Sequence, residues 1–180
     1  MSESSPINSM FYARWTDDRI KPQPLSSHLT NVSRLANAFA ELVRRSDVAF
    51  VAAAKLAGLL HDLGKYRVAF QVYLNAGDRG RRSAETDHAV YGAAAAEVDW
   101  SELAIAFAVA GHHAGLHDEC QLANMISGRK YQAVNRFPEL LREADGIDEL
   151  AGELAALKPN VEHASDVAPL LGADEDEDCE

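Results

Sequence analysis

Residues 56–66 read LAGLLHDLGKY, an apolar Ala/Leu run that breaks off at His61 and Asp62 and continues into a Gly and a Lys. The run closes a longer segment, VAFVAAAKLAGLLHDL, which starts near Ser46 or Asp47 and extends to Gly64, a residue type that commonly stops helices. The segment is apolar almost all round, which places it at the centre of a core and not on its surface. Two side chains of metal-ligating type therefore stand at the edge of the hydrophobic interior. Upstream, Leu29, Val32, Leu35, Ala36, Phe39, Leu42 and Val43 recur at three- and four-residue intervals and mark an amphipathic helix capped by Ser26 or Ser27.

Downstream, YRVAFQVYLNAG predicts a short third helix, followed by the loop DRGRRSAET. DHAVYGAAAAEV predicts a fourth helix with Thr86 or Asp87 as cap, and SELAIAFAVAGHHAGL a buried fifth beginning near Ser101. Weaker helical patterns cover 121–125, 131–136, 138–144 and 147–157. No strand-period segment of consequence and no internal repeat occurs, so the sequence predicts an all-α domain. Residues 1–24, with Pro6, Pro22 and Pro24, read as an irregular leader, 25–170 as the domain, and 171–180 as an acidic, solvated tail.

A chain of 180 residues is long enough for one domain with a sizeable core. Its formal charge of -11 argues at first against a nucleic-acid partner. Six of those charges, however, lie at Asp174, Glu175, Asp176, Glu177, Asp178 and Glu180, so the global charge decides nothing. Cys120 and Cys179 are far apart and form no C-x-x-C pair, which predicts a reducing compartment. The start of the chain has no basic segment followed by an apolar stretch, and LAIAFAVAG is far too short to span a bilayer. A soluble, cytoplasmic protein with no membrane partner is the expectation.

Five of the seven histidines fall into an ordered pattern: His28, His61 beside Asp62, His88, and the doublet His112-His113. His28 lies at the start of the first helix, His61 at the end of the second, His88 at the opening of the fourth and the doublet at the close of the fifth. Helix ends can converge on one place, whereas outward-facing mid-helix positions cannot. Imidazoles mixed with a carboxylate suit divalent transition metals such as manganese, iron, cobalt, nickel or zinc. Asp62 has two oxygens and can bridge two ions, which an imidazole cannot. Two bridged ions would activate a shared water and hold both oxygens of a phosphoester displacement.

Any single one of these histidines is more often a core or capping residue than a ligand; the signal lies in the set. His117 follows the doublet in a loop-like stretch and reads as surface, and His163 lies outside the pattern. Lys65 is either a solvated lysine favoured at a helix C-terminus or a cation aimed at whatever the metals hold. Arg79, Arg81 and Arg82 form a basic loop that either contacts phosphates or serves solubility.

The ordered set SHLTNVSRLA, LAGLLHDLGKYRVAFQVYL, DHAVYGAAAA and AVAGHHAGL resembles the HD nuclease domain of the CRISPR-associated type I nuclease-helicase family, over residues 11–118. HDLGK alone occurs across the wider HD phosphohydrolase superfamily; the tract HDLGKYRVAFQVYL combined with GHHAGL is more specific. The resemblance implies an HD-domain helical bundle with a metal site at converging helix ends. It implies a metal-dependent endonuclease that hydrolyses single-stranded DNA during CRISPR antiviral interference. A helicase domain or subunit would feed the strand, and a guide-RNA surveillance complex would recruit the enzyme. The ligands it implies are His28, His61 and Asp62 for a first ion and Asp62, His88, His112 and His113 for a second. Asp62 would bridge the two, and Lys65 would steady the phosphate.

Two departures from the family pattern stand out. Arg14 of YARW occupies a position where the family often has a histidine. The family also completes its first metal site with an aspartate on a late helix, in a segment like LVDADRLDT, and nothing here matches it. Asp145, Asp148 and Asp166 are acidic but lack that context. No helicase motif and no phosphate-binding Gly-Lys-Ser/Thr loop follows, which reads as a fragment of the larger enzyme or a shortened standalone domain. The alternatives to a nuclease are an HD phosphohydrolase acting on nucleotides and a non-catalytic metal-binding remnant.

Overall fold

The computed structural model describes residues 11–77, 86–100, 102–113 and 115–127, together with the isolated positions 80, 83, 152, 153, 156 and 157. Within them the protein is a helical bundle of six α-helices: α1 (Leu25–Arg44), α2 (Val48–Leu60), α3 (Val68–Ala76), α4 (Ala89–Trp100), α5 (Leu103–Gly111) and α6 (Glu119–Ser127). A 3-10 turn, Leu63–Tyr66, links α2 to α3. The expected late helices over 131–144, the basic loop residues Arg79, Arg81 and Arg82, His163 and the acidic tail lie outside the described residues.

The central helix is the one the apolar run predicts. α2 buries Ala52, Leu56, Gly58, Leu59 and Leu60 and packs against α1, α4 and α5. Asp47 caps it, its carboxylate accepting from Phe50 N at 2.9 Å. The helix stops at Leu60, four residues before Gly64, because the chain tightens at His61 and Asp62 into the 3-10 turn. α6 is closed at its start by a reciprocal cap: Gln121 N donates to Asp118 Oδ1 at 2.7 Å, and Asp118 N donates to Gln121 Oε1 at 3.3 Å.

The buried face of α1 differs from the one its apolar periodicity predicts. Leu25, Leu29, Ser33 and Ala40 face inward, whereas Leu35, Phe39, Leu42 and Val43 are 58–80% exposed. The reason is the closeness of the α1–α2 contact. A Cβ on Gly58 would lie 2.6 Å from the Ser33 Cα, so the two backbones meet where neither helix carries bulk. Ser33 is fully buried and donates its hydroxyl to the Lys55 carbonyl at 2.9 Å, which satisfies its polar atom inside the seam. Small residues at Ser33 and Gly58 set the closeness of this contact. The predicted caps Ser26 and Ser27 are likewise displaced, because α1 begins at Leu25 behind Pro24 with no side-chain cap.

Gly92 is the equivalent device for α4. A Cβ there would overlap the Leu60 carbonyl oxygen and lie 2.9 Å from Val109 Cγ1, so α2, α4 and α5 converge on it. Gly92→Ala is expected to destabilise the protein by about 2 kcal/mol or more, as overpacking against backbone does. Urea unfolding followed by circular dichroism measures this; a midpoint unchanged from wild type would contradict the packing described.

The second difference from expectation lies in the leader. Among its residues, Tyr12–Trp15 (β1) and Pro22–Pro24 (β2) form a short antiparallel ribbon, pairing Tyr12 with Pro24, Arg14 with Gln23 and Trp15 with Pro22. Prolines give no strand periodicity in sequence, yet an edge strand tolerates them because it need not donate along its whole length. The ribbon is fastened to α3: Trp15 Nε1 donates to Asn75 Oδ1 at 3.2 Å, and Arg19 Nη2 to the Leu74 carbonyl at 3.2 Å. Among the described residues no helix is long and apolar enough to cross a membrane.

Candidate metal centre

Four helix ends and one helical turn meet at Asp62. His28 lies in the first turn of α1, His61 directly follows α2, His88 directly precedes α4, and His112 and His113 directly follow α5. The Asp62 carboxylate is 3% exposed and forms the floor of the cluster. The four histidine side chains that face the carboxylate keep partial access, from 14% at His88 to 22% at His28, and His113 is exposed. The floor is buried and the walls are reachable.

The two carboxylate oxygens divide the histidines between them. Oδ2 faces His28 Nε2 at 3.0 Å, His61 Nε2 at 3.3 Å and Lys65 Nζ at 2.7 Å. Oδ1 faces His88 Nε2 at 3.0 Å and His112 Nε2 at 3.5 Å, with His113 Nε2 3.1 Å from His88 Nε2. Two groups of donor atoms result: His28, His61 and Asp62 on one side, and Asp62, His88, His112 and His113 on the other, the donor atoms of each lying within 4.8 Å of one another.

The proton positions sharpen this geometry. His61 Nδ1 lies 2.8 Å from the Gly58 carbonyl and His112 Nδ1 2.6 Å from the Val109 carbonyl. A carbonyl only accepts, so both Nδ1 atoms carry the proton, and in the neutral rings both Nε2 atoms present lone pairs. Those lone pairs point at a carboxylate that also offers only lone pairs. Asp62 Oδ1 and His112 Nε2 are buried with no hydrogen-bond partner, and the 3.0 Å approach of His88 lacks hydrogen-bond geometry. On the Oδ2 side His28 Nε2 and the Lys65 ammonium lie within hydrogen-bond distance of the carboxylate, whereas on the Oδ1 side acceptor faces acceptor, an arrangement that a bound cation would satisfy. Protonating the rings would crowd positive charge, since the His88, His112 and His113 ring centres lie 4.0–5.5 Å apart.

The titration behaviour agrees with a ligand set. Burial, with repulsion from His112 and His88, lowers His113 and favours the neutral ring that a metal needs. The anchoring of Nδ1 to a backbone carbonyl is the common way a ligating imidazole is fixed in orientation and tautomer. The donor set fits divalent transition metal ions.

The residues that the sequence singled out as ligands thus share one site, and Lys65 lies beside them. His117 is only half-buried, but its Nε2 is buried without a partner, so it is less superficial than expected. Asp145, Asp148 and Asp166 lie outside the described residues. Two participants carried no sequence signal. The Ala13 carbonyl of β1 accepts from Lys65 Nζ at 3.4 Å, and Gln71 of α3 hydrogen-bonds the Lys65 carbonyl at 2.7 Å. Tyr66, in the same turn, packs edge-on against Phe11 at 5.3 Å, and burial pushes its hydroxyl up to about 12.

The HD domain family model matches residues 25–152, and the chain belongs to that family. HD domains are typically metal-dependent phosphohydrolases, and the clustered histidines with Asp62 supply the donors that such a domain uses for divalent metal. Neither the curated proteins nor the solved structures gave a match to this chain.

Proposed function

We propose that the protein is a metal-dependent endonuclease that hydrolyses phosphodiester bonds of single-stranded DNA in CRISPR antiviral interference. The observation that carries the hydrolase part is the convergence of five histidines on the buried Asp62 carboxylate, with His61 and His112 held by backbone carbonyls so that Nε2 faces it. The finer part is supported by the tract HDLGKYRVAFQVYL followed by GHHAGL, which resembles the nuclease domain of the nuclease-helicase family. In this reading His28, His61 and Asp62 hold one ion and Asp62, His88, His112 and His113 a second, of manganese, cobalt, nickel, iron or zinc. The bound ions supply Lewis acidity for phosphoester hydrolysis. A helicase domain or subunit and a guide-RNA surveillance complex are the partners, in the cytoplasm.

The chain's own residues contribute the rest. Backbone carbonyls fix the His61 and His112 rings, so no reorientation is needed when metal binds. Lys65 is 13% exposed and holds its ammonium 2.7 Å from Asp62, on the side of His28 and His61. From there it can donate to a non-bridging phosphate oxygen as negative charge builds on it. The rim histidines remain accessible, which suits a polymer strand laid across the site.

Digestion of circular single-stranded DNA beside a panel of nucleotides, with manganese, tests the reading. Cleavage of the circle with nucleotides untouched is the expected outcome; hydrolysis of a nucleotide alone would assign a nucleotide phosphohydrolase instead. Histidine variants test the ligand sets in parallel. His88→Ala and His113→Ala are expected to lose bound metal, whereas His117→Ala and His163→Ala keep the wild-type content by elemental analysis. Equal losses in all four would show that the ligand sets are drawn wrongly.

A further inference from the structure

Gln71 projects from α3 between β1 and the 3-10 turn and uses its whole amide there. Its Nε2 donates to the Lys65 carbonyl at 2.7 Å and to the Tyr12 carbonyl at 2.9 Å, and its Oε1 accepts from Tyr12 N at 3.1 Å. Both amide protons and one acceptor site are engaged, all in part-buried surroundings. At the other end of Lys65, the ammonium reaches the Ala13 carbonyl at 3.4 Å and Asp62 Oδ2 at 2.7 Å, and lies 5.4 Å from the Phe70 ring centre. The dipeptide Tyr12-Ala13 and Lys65 are therefore tied twice, once through Gln71 at the backbone and once through the ammonium itself.

We propose that Gln71 is a positioning residue that holds Lys65 at the metal centre by clamping its backbone to β1. A lysine reaches its target on a flexible four-carbon stem, so an ammonium placed to within a fraction of an ångström needs its base fixed. The ribbon has other fastenings to α3, the Trp15–Asn75 and Arg19–Leu74 bonds, and neither includes an atom of Lys65. Gln71 alone, among the hydrogen bonds described, joins α3, β1 and the Lys65 backbone in one group. The role rests on the reading of Lys65 as a phosphate-facing cation.

The test is a double-mutant cycle on manganese-loaded protein. Gln71→Met should lower kcat by about tenfold to a hundredfold, the scale on which misplacement of a catalytic group is felt, with KM and bound manganese unchanged. Lys65→Met should cost more, and Gln71→Met should add nothing in the Lys65→Met background, because the residue acts through the lysine. Asn75→Ala, which loosens the ribbon elsewhere, should leave kcat unaltered. Independent, additive losses, or a kcat equal to wild type in Gln71→Met, overturn the proposal. If Gln71→Met does not fold, Gln71→Glu serves in its place: it keeps the acceptor for Tyr12 N and lacks both donors. If the wild-type protein hydrolyses no phosphoester, the nuclease reading fails, and a crystal structure of the Gln71 variant decides the clamp separately. A lysine ammonium moved off the Ala13 carbonyl supports it; one unmoved refutes it.

Discussion

Asp62→Ala, stripped of metal and reloaded with manganese, is expected to lose DNA cleavage by about a thousandfold or more, as removal of a group central to the reaction does. The size follows from what the carboxylate touches. His28, His61 and Lys65 meet on one of its oxygens and His88 and His112 on the other. Without it, imidazoles and an ammonium converge with no anion between them, and each donor group loses its shared member. Metal content should fall with activity. Helical circular dichroism should persist, because Asp62 is a local floor and the helices are held by the Leu and Ala core. Asp62→Asn repeats the test without a change of volume. Full activity in the reloaded Asp62→Ala protein would refute a bridging role.

The second large effect concerns metal stoichiometry. Asp62, His88, His112 and His113 offer one ion four protein ligands, enough for a stable site. His28, His61 and Asp62 offer the other only three, with the anionic member shared. Fewer ligands and less charge compensation mean weaker binding. The dialysed protein is therefore expected to retain about one tightly held transition metal per molecule, the second arriving only in excess. On the two-ion reading proposed above, cleavage should rise as manganese, cobalt or nickel is added. Elemental analysis beside a metal titration of single-strand cleavage measures both. Two ions retained through dialysis would mean that another acid, such as Asp145 or Asp166, completes the first site, and none retained would favour a non-catalytic remnant.

The helices were legible because Ala/Leu periodicity and turn chemistry are local properties. The position of the histidines was legible for a related reason: a chain that puts His61, His88 and His112 at helix boundaries has already constrained where they can meet. What escaped is whatever depends on contact across elements. Leu35, Phe39 and Leu42 carry the right period for a buried stripe, yet Ser33 and Ala40 are buried in their place, because Gly58 lets the helices meet backbone to backbone. The β1–β2 ribbon is written in prolines and a bulge, which carry no alternation to read. Gln71 sits in a helix pattern like any other polar residue. Only the position of Tyr12 and Lys65 around it reveals what its amide does.

The dispersal of the donor atoms along the chain has one more consequence. His28 and His61 are 33 residues apart, and His88 and His113 are 25 apart. A metal held between such pairs is a cross-link closing long loops, comparable to a disulfide in what it removes from the unfolded ensemble. It would staple α1 to α2 and α4 to α5 at the ends where each helix has run out of its own hydrogen bonds. Since the unfolded chain has no preformed cage, occupancy adds to folding stability by mass action. A chelator should then act on this protein twice, as an inhibitor and as a mild denaturant, loosening the ends of four helices at once.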